Sequence, residues 1–270
     1  MSEITNDELL AITRAVALEA GAMIMASAPD RSRSVETKSS LTDVVTEVDR
    51  RSERLIVERL LAARPDDGIL GEEGASVQGS SGIDWVIDPI DGTTNFLYGH
   101  PHFAVSIAAR DQGGTGEGIT RAGVVLDATT DELYEATHGG GARRNGEAIR
   151  CSHPASLAMS LIGTGFSYDS DRRQLQARTL LEVLPRVRDI RRVGAAALDL
   201  CSVAAGRLDA YYERGVQDWD VAAGLLIARE AGALIDTSPP MAEGAGPVLV
   251  VAAAPTIWEP LRALLNQAAA

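Results

Sequence analysis

Apolar positions at a spacing of three and four follow Thr5-Asn6-Asp7-Glu8, a capping box, and predict a helix running to about residue 28. Residues 29–43 are polar and read as a loop. Thr46 then opens a second helix with Leu55, Ile56, Leu60 and Leu61 on its buried face, ending near Pro65. Short apolar runs at 68–71, 84–87, 103–109, 122–126 and 132–136 predict strands, and Asn145-Gly146 is a hairpin turn signal. The first half is thus two helices followed by a largely antiparallel sheet.

The second half alternates. Strands are predicted at 161–163, 189–193, 208–213, 233–236 and 248–252, and helices at 172–184, 195–205, 221–231 and 258–268. This rhythm predicts a layered α/β lobe. Two lobes are expected, residues 1–155 and 156–270, with the seam at about 150–160. Residues 113–118 and 239–247 are short low-complexity loops, and no internal repeat is present.

With 270 residues, 45% of them hydrophobic, the chain can bury a substantial core. The 38 acidic residues against 25 basic ones, net −13, disfavour a general binder of nucleic-acid backbones. Cys151 and Cys201 are far apart and lack any zinc-like spacing, which fits a reducing compartment. The acidic N-terminus lacks a signal-peptide pattern, and no uninterrupted apolar run approaches the roughly 20 residues of a membrane span. A soluble cytoplasmic protein without membrane contact is expected.

Residues 85–96, WVIDPIDGTTNF, carry the strongest chemical signal. An apolar strand ends in Asp88, Pro89 prevents an immediate helix, and Asp91 follows three residues on. Gly92 permits a tight turn, and Thr93, Thr94 and Asn95 can cap a helix. Paired carboxylates there suit a hard cation, and free N–H groups suit a phosphate. Further acids meet strand or helix ends at Glu72-Glu73, at Asp220 and at Asp49 in the segment 42–49. Each has a plainer reading: Asp220 as a helix N-cap, Glu72 and Glu73 as turn acids, Asp49 as a first-turn acid favoured by the helix dipole.

The segments 38–40 with Asp49, 71–73, 88–96, 193–196, 209–213 and 219–224 resemble, in order, those of the inositol monophosphatase family of Mg²⁺-dependent, lithium-sensitive phosphatases, in its bacterial inositol-1-monophosphatase form. The resemblance covers nearly the whole chain. It implies an α+β fold layered as an αβαβα sandwich, usually a homodimer, with two to three Mg²⁺ ions per site. Glu72, Asp88 and the Ile90 carbonyl would hold the first ion; Asp88, Asp91 and Asp220 the second; Glu72 and water a weaker third. Oxygen-only ligands fit Mg²⁺ independently of the resemblance.

The implied reaction is hydrolysis of myo-inositol 1-phosphate, or a close polyol or sugar monophosphate, by direct attack of a metal-activated water. Asp49, Glu72 and Thr93 are the implied catalytic group, Thr93 being hydrogen-bonded to Asp49. Glu72, Asp91, Gly92, Thr93 and Asp220 are expected to contact the substrate, with the Gly92 and Thr93 N–H groups holding phosphate oxygens. Gly194, Ala195 and Ala196 would line the pocket and Glu213 would accept inositol hydroxyls. Ala195 stands where many relatives carry Thr or Ser, and Gln217 where animal relatives carry His. Lys38 is expected on a loop that helps close the site, or is a solvated lysine.

Fructose 1,6-bisphosphate, histidinol phosphate and 3′-phosphoadenosine 5′-phosphate are alternative substrates. The acidic balance, without a basic cluster near the pocket motifs, disfavours the last. An interaction protein contacting RNA or the transcription machinery is a rival from another class, although the net charge weighs against direct nucleic-acid binding. A purely structural cation site is a third reading.

Overall fold

The computed structural model describes residues 4–30, 35–38, 44–112, 118–238 and 248–268. The loops expected at 239–247 and across most of 113–118 lie outside them, as do residues 39–43 of the segments quoted above. The elements in chain order are α1 (Asn6–Ser27), β1 (Val35–Thr37), β2 (Val44–Thr46), α2 (Glu47–Ala63), β3 (Gly68–Gly71), β4 (Ser76–Val77), β5 (Ile83–Asp91), α3 (Thr93–Tyr98), β6 (Ala104–Asp111), β7 (Thr120–Asp127), β8 (Glu132–Thr137), β9 (Gly141–Arg144) and β10 (Glu147–Ala148). The C-terminal half follows with β11 (Leu161–Thr164), α4 (Ser170–Val183), β12 (Asp189–Arg191), α5 (Ala196–Ala204), β13 (Ala210–Arg214), α6 (Asp218–Glu230), β14 (Leu234–Ser238), β15 (Leu249–Ala253) and α7 (Trp258–Ala268).

An eight-stranded sheet in the order β10-β9-β8-β7-β6-β5-β3-β4 and a five-stranded sheet in the order β12-β11-β13-β15-β14 make the two β layers. Only β3–β5 is parallel in the larger sheet, whereas β11 runs parallel to both β12 and β13 in the smaller. Alternating side chains define the layers. On β5, Trp85 and Ile87 join the core under α1 and α2, while Val86 points into the core around α5 and α6. On β13, Tyr211 faces α5 and α6, and Ala210 and Tyr212 face the core under α4 and α7. The order is helices, sheet, helices, sheet, helices, the expected αβαβα sandwich. Strands buried on both faces read as unbroken apolar runs, which is why they stand out in the sequence.

Two differences from the sequence reading matter. Part of the polar stretch 29–43 is a strand: β1 pairs antiparallel with β2, placing the start of α2 beside the site. And α1 is long and apolar enough, by length and composition alone, to cross a membrane. Arg14 and Glu19 interrupt its apolar run, so a count of uninterrupted residues passes over it. In the fold Leu9, Val16, Ala17, Ala20 and Ile24 are buried, and the helix packs on the larger sheet as a core element.

Candidate active site

Four structural devices bring the acidic residues to one place. The first is an irregularity in β5. Its pairing with β6 runs regularly to Asp88 opposite Ser106, then shifts before Asp91 meets Ala104. The strand therefore continues through Pro89 instead of ending at Asp88. Asp88 Oδ1 accepts the Ile90 N–H at 3.0 Å, which fixes the bulge locally. Both carboxyls are buried, at 1% and 8% exposure.

The second device is the N-terminus of α2. Thr46 and Asp49 form a reciprocal capping box, so the dipole-favoured acid of the plainer reading is present. Asp49 also does something local sequence could not decide. Its Oδ1 accepts from Thr93 Oγ1 at 2.9 Å, across 44 residues. The same hydroxyl lies 3.1 Å from the Ile90 carbonyl, and with one proton to give it serves one acceptor at a time. Asp49 is fully buried behind Thr93, outside the cavity lining, and among the described residues its hydrogen bond to a cavity residue runs through that hydroxyl.

The third is the N-terminus of α5. Its N-cap is Ala195, which has no side-chain oxygen. Asp91 takes over the capping role from the other half of the chain: its carboxylate accepts the N–H groups of Ala197 at 2.7 Å and Ala196 at 3.2 Å. The Ala196 N–H is therefore committed to Asp91, although the residue lines the cavity together with Gly194 and Ala195. Gly92 turns at φ +91°, and a Cβ there would meet the Gly194 and His102 carbonyls at 3.2 Å.

The fourth is α6, which starts at Asp218, three residues before the predicted start at residue 221. Asp220 is thus not the N-cap. It is the third helical residue, reaching back to the Gln217 N–H at 2.6 Å. Small residues let this helix lie close: a Cβ on Gly123 of β7 would stand 3.0 Å from the Ala223 Cα.

Glu72 follows β3, anchored by its N–H to the Ile87 carbonyl at 3.1 Å. Lys38 Nζ bridges Glu72 Oε1 at 2.8 Å and Glu73 Oε1 at 2.6 Å, so the lysine sits at the site. Burial works against its charge, but the two carboxylates outweigh that and raise its pKa. Burial pushes Glu73 up to about 7, with Lys38 opposing and Glu72 adding to the rise. Burial, then the carboxylates of Glu72, Asp91 and Asp220, holds Asp88 well above the usual range. Asp91 is raised by burial and by Asp220, against the Ala197 and Ala196 N–H groups. Burial takes Asp220 to about 7 despite the Gln217 N–H.

A cavity of about 340 Å³ collects Glu72, Asp88, Ile90, Asp91, Gly92, Thr93 and Asp220 with Gly194, Ala195, Ala196 and Glu213. Every sequence-predicted residue except Asp49 lines it directly. Glu213 Oε2 accepts the Tyr211 hydroxyl at 2.7 Å, and burial raises its pKa while Tyr211 and Arg192 oppose. Among the described residues no three acidic, thiol or imidazole side chains already enclose one point as a closed cage does. The donor chemistry nevertheless fits a hard cation. Several buried carboxylates and a backbone carbonyl meet without sulfur or imidazole, and their mutual repulsion is relieved by divalent charge.

Sequence reasoning missed four contributors. Glu53 is 6% exposed on α2 and accepts the N–H groups of Glu73 at 2.8 Å and Ala75 at 3.0 Å, fixing the turn that presents Glu72. An acid at a buried helical position, beside Ile56, was the available signal. Asp199 also lines the cavity. Arg172 and Arg192 line it as well, so the pocket does have basic side chains, contrary to the sequence reading. The two arginines stand twenty positions apart in sequence, and they share a site only through the fold, Arg172 from α4 and Arg192 from the chain just after β12.

The description "inositol monophosphatase family" matches residues 5–267. The inositol-1-monophosphatase SuhB of Mycobacterium tuberculosis is 51% identical over 249 residues, covering 89% of this chain and 84% of that protein. A solved structure of Mycobacterium tuberculosis SuhB superposes with a TM-score of 0.83 at 44% identity, over 98% of each chain. The Nus factor SuhB of Pasteurella multocida is 43% identical over 229 residues, 84% of each chain. With the acidic cavity, the layered fold and these likenesses in agreement, the chain belongs to the inositol monophosphatase family.

Proposed function

We propose that the protein is a Mg²⁺-dependent phosphomonoesterase acting on myo-inositol 1-phosphate or a close polyol monophosphate. One observation carries this reading. A single cavity holds a buried carboxylate cluster, a threonine backed by a buried acid, and a carboxylate braced by a tyrosine. The relatives named inositol-1-monophosphatase support the substrate class.

Glu72, Asp88 and the Ile90 carbonyl would hold one Mg²⁺, and Asp88, Asp91 and Asp220 would hold a second, with Glu72 available to a weaker third. Bound Mg²⁺ supplies charge neutralisation to the phosphoryl group and leaving alkoxide and acidity to water. Thr93 Oγ1 accepts a proton from the attacking water as it donates to Asp49 Oδ1, so Asp49 is the terminal base. The Gly92 and Thr93 N–H groups bind phosphoryl oxygens, and Glu213 accepts polyol hydroxyls. Gly194 and Ala195 shape that end of the pocket. Residues 1–155 carry most metal ligands, and residues 156–270 carry Asp220 and the polyol side. We further propose a cytoplasmic homodimer, supported by two unpaired buried thiols and by exposed Leu175, Leu181 and Leu184 on one side of the smaller sheet.

The test is phosphate release from a panel of monophosphates and bisphosphates with and without Mg²⁺, then with Li⁺. Inositol 1-phosphate turned over best, only with Mg²⁺ and inhibited by Li⁺, is the expected result. Asp88→Asn removes a ligand of both main ions, and near-normal turnover by it refutes the metal assignment. Arg172 and Arg192 justify fructose 1,6-bisphosphate in the panel. The relatives named Nus factor SuhB favour a second role in contacts with transcription machinery. A pull-down with Asp88→Asn that retains no such partner removes that reading.

A further inference from the structure

The polyol side of the cavity is built on glycine. Gly163 on β11 and Gly165 just past its end are two residues apart, on the same side of an extended chain. A Cβ on Gly165 would stand 1.8 Å from Glu213 Oε2. A Cβ on Gly163 would stand 3.2 Å from Asp199 Oδ1 and 2.7 Å from Leu208 Cδ1. A carboxyl group thus fills the room beside Gly165, and a second carboxyl lies beside Gly163 next to the Leu208 side chain. One belongs to Glu213. The other belongs to Asp199, in the same first turn of α5 as the Ala196 and Ala197 N–H groups that bind Asp91.

Asp199 differs from every other carboxyl of the site. It is 1% exposed yet lines the cavity. Its Oδ1 makes no hydrogen bond, and among the described residues the only other such buried side-chain atom is Arg262 Nε. Glu213 and Arg192 are the charged groups whose fields reach it. Glu213 has Tyr211, Asp91 has two backbone N–H groups and Asp220 has Gln217. A buried polar atom without a partner is costly, and a ligand that supplies the partner recovers the cost on binding. A carboxyl group can meet a hydroxyl in either protonation state, accepting as carboxylate or donating as acid.

We infer that Asp199 is a specificity-determining residue of the polyol subsite, its Oδ1 engaging a substrate hydroxyl other than the one Glu213 takes. The subsite is therefore a pair of carboxyls, one pre-bonded to a tyrosine and one held open for the ligand. This selects esters with at least two free hydroxyls on the group leaving phosphate. It rests on the phosphatase reading above. Opening the partner position on Asp199 costs folding stability, a cost that a group serving packing alone has no reason to carry.

The experiment compares wild type with Asp199→Asn and Asp199→Ser. The readouts are kcat and KM for inositol 1-phosphate and for 4-nitrophenyl phosphate, with calorimetric titration of free inositol in the presence of Mg²⁺ and phosphate. The ratio of the two kcat/KM values is expected to fall by about tenfold to a hundredfold, the range of one hydrogen bond to a charged group. The change appears in KM for inositol 1-phosphate, and inositol binding weakens by a similar factor. A ratio within twofold of wild type in both folded variants, with inositol binding intact, overturns the role of Asp199 alone. Wild type showing no preference for inositol 1-phosphate overturns the polyol reading and Asp199 with it. Failure of both variants to fold marks Asp199 as a structural residue and also overturns the assignment.

Discussion

Asp220→Asn is expected to stabilise the metal-free protein at alkaline pH. An acid whose pKa is raised by folding binds its proton more tightly in the folded chain. Its contribution is therefore best below the unfolded pKa, worsens as pH rises toward the folded pKa, and is then constant. Asp220 goes from an unfolded value of about 3.9 to about 7, a change worth about 4 kcal/mol at pH 8. Its side chain is half-buried, so solvent screening reduces this to about 2–3 kcal/mol. Asparagine cannot ionise, yet keeps an oxygen for the Gln217 N–H now bonded at 2.6 Å. The assay is urea unfolding in EDTA from pH 4.5 to 8.5. Wild type should lose stability between about pH 4 and pH 7. At pH 8 the variant should exceed it by about 2–3 kcal/mol, near 1 M in midpoint for a slope of about 3 kcal/mol/M. The slope shrinks without vanishing, because Asp88 and Asp91 are raised too. Mg²⁺ at about 100 times its Kd should then add about 2.7 kcal/mol to wild type and less to the variant. A flat wild-type profile, or a variant less stable than wild type at pH 8, refutes the claim that unneutralised carboxylates strain this fold.

Other expectations concern single contacts. Thr93→Ala removes the hydroxyl 2.9 Å from Asp49 Oδ1 and should lower kcat by about 10²–10³ with a smaller change in KM, measured at saturating Mg²⁺. Gly165→Ala places a methyl 1.8 Å from Glu213 Oε2 and should raise KM for inositol 1-phosphate by about tenfold, the loss of one hydrogen bond. An unchanged KM would separate Glu213 from substrate binding. Asp67 is fully buried and bonded to Trp85 Nε1 at 2.9 Å, Ser81 Oγ at 2.6 Å and Arg64. Asp67→Ala should cost about 3–5 kcal/mol in urea unfolding by leaving Arg64 and Trp85 unpaired, with turnover at 25 °C retained.

The local patterns settled much in advance. Capping boxes at Thr5 and Thr46 place the starts of α1 and α2 because they join residues three apart. The doubly buried strands show as apolar runs, and the Asp88–Asn95 segment announces cation and phosphate chemistry from residue type and order alone. Even the bulge is foreshadowed, since Pro89 cannot donate a ladder hydrogen bond. Partnerships over long distances in sequence were decided by packing. Asp91 capping α5 spans 105 and 106 residues, Asp49 meeting Thr93 spans 44, and Glu53 holding the Glu72 turn spans 20 and 22. No local periodicity encodes such pairs. They depend on how far two elements approach and on how much water is excluded between them. The same holds for the raised pKa values and for the unpartnered Oδ1 of Asp199, in the first turn of α5. Residue types carry the chemistry of this protein, and burial against partners from distant elements decides which of them are charged, which are bonded and which are left open for a ligand.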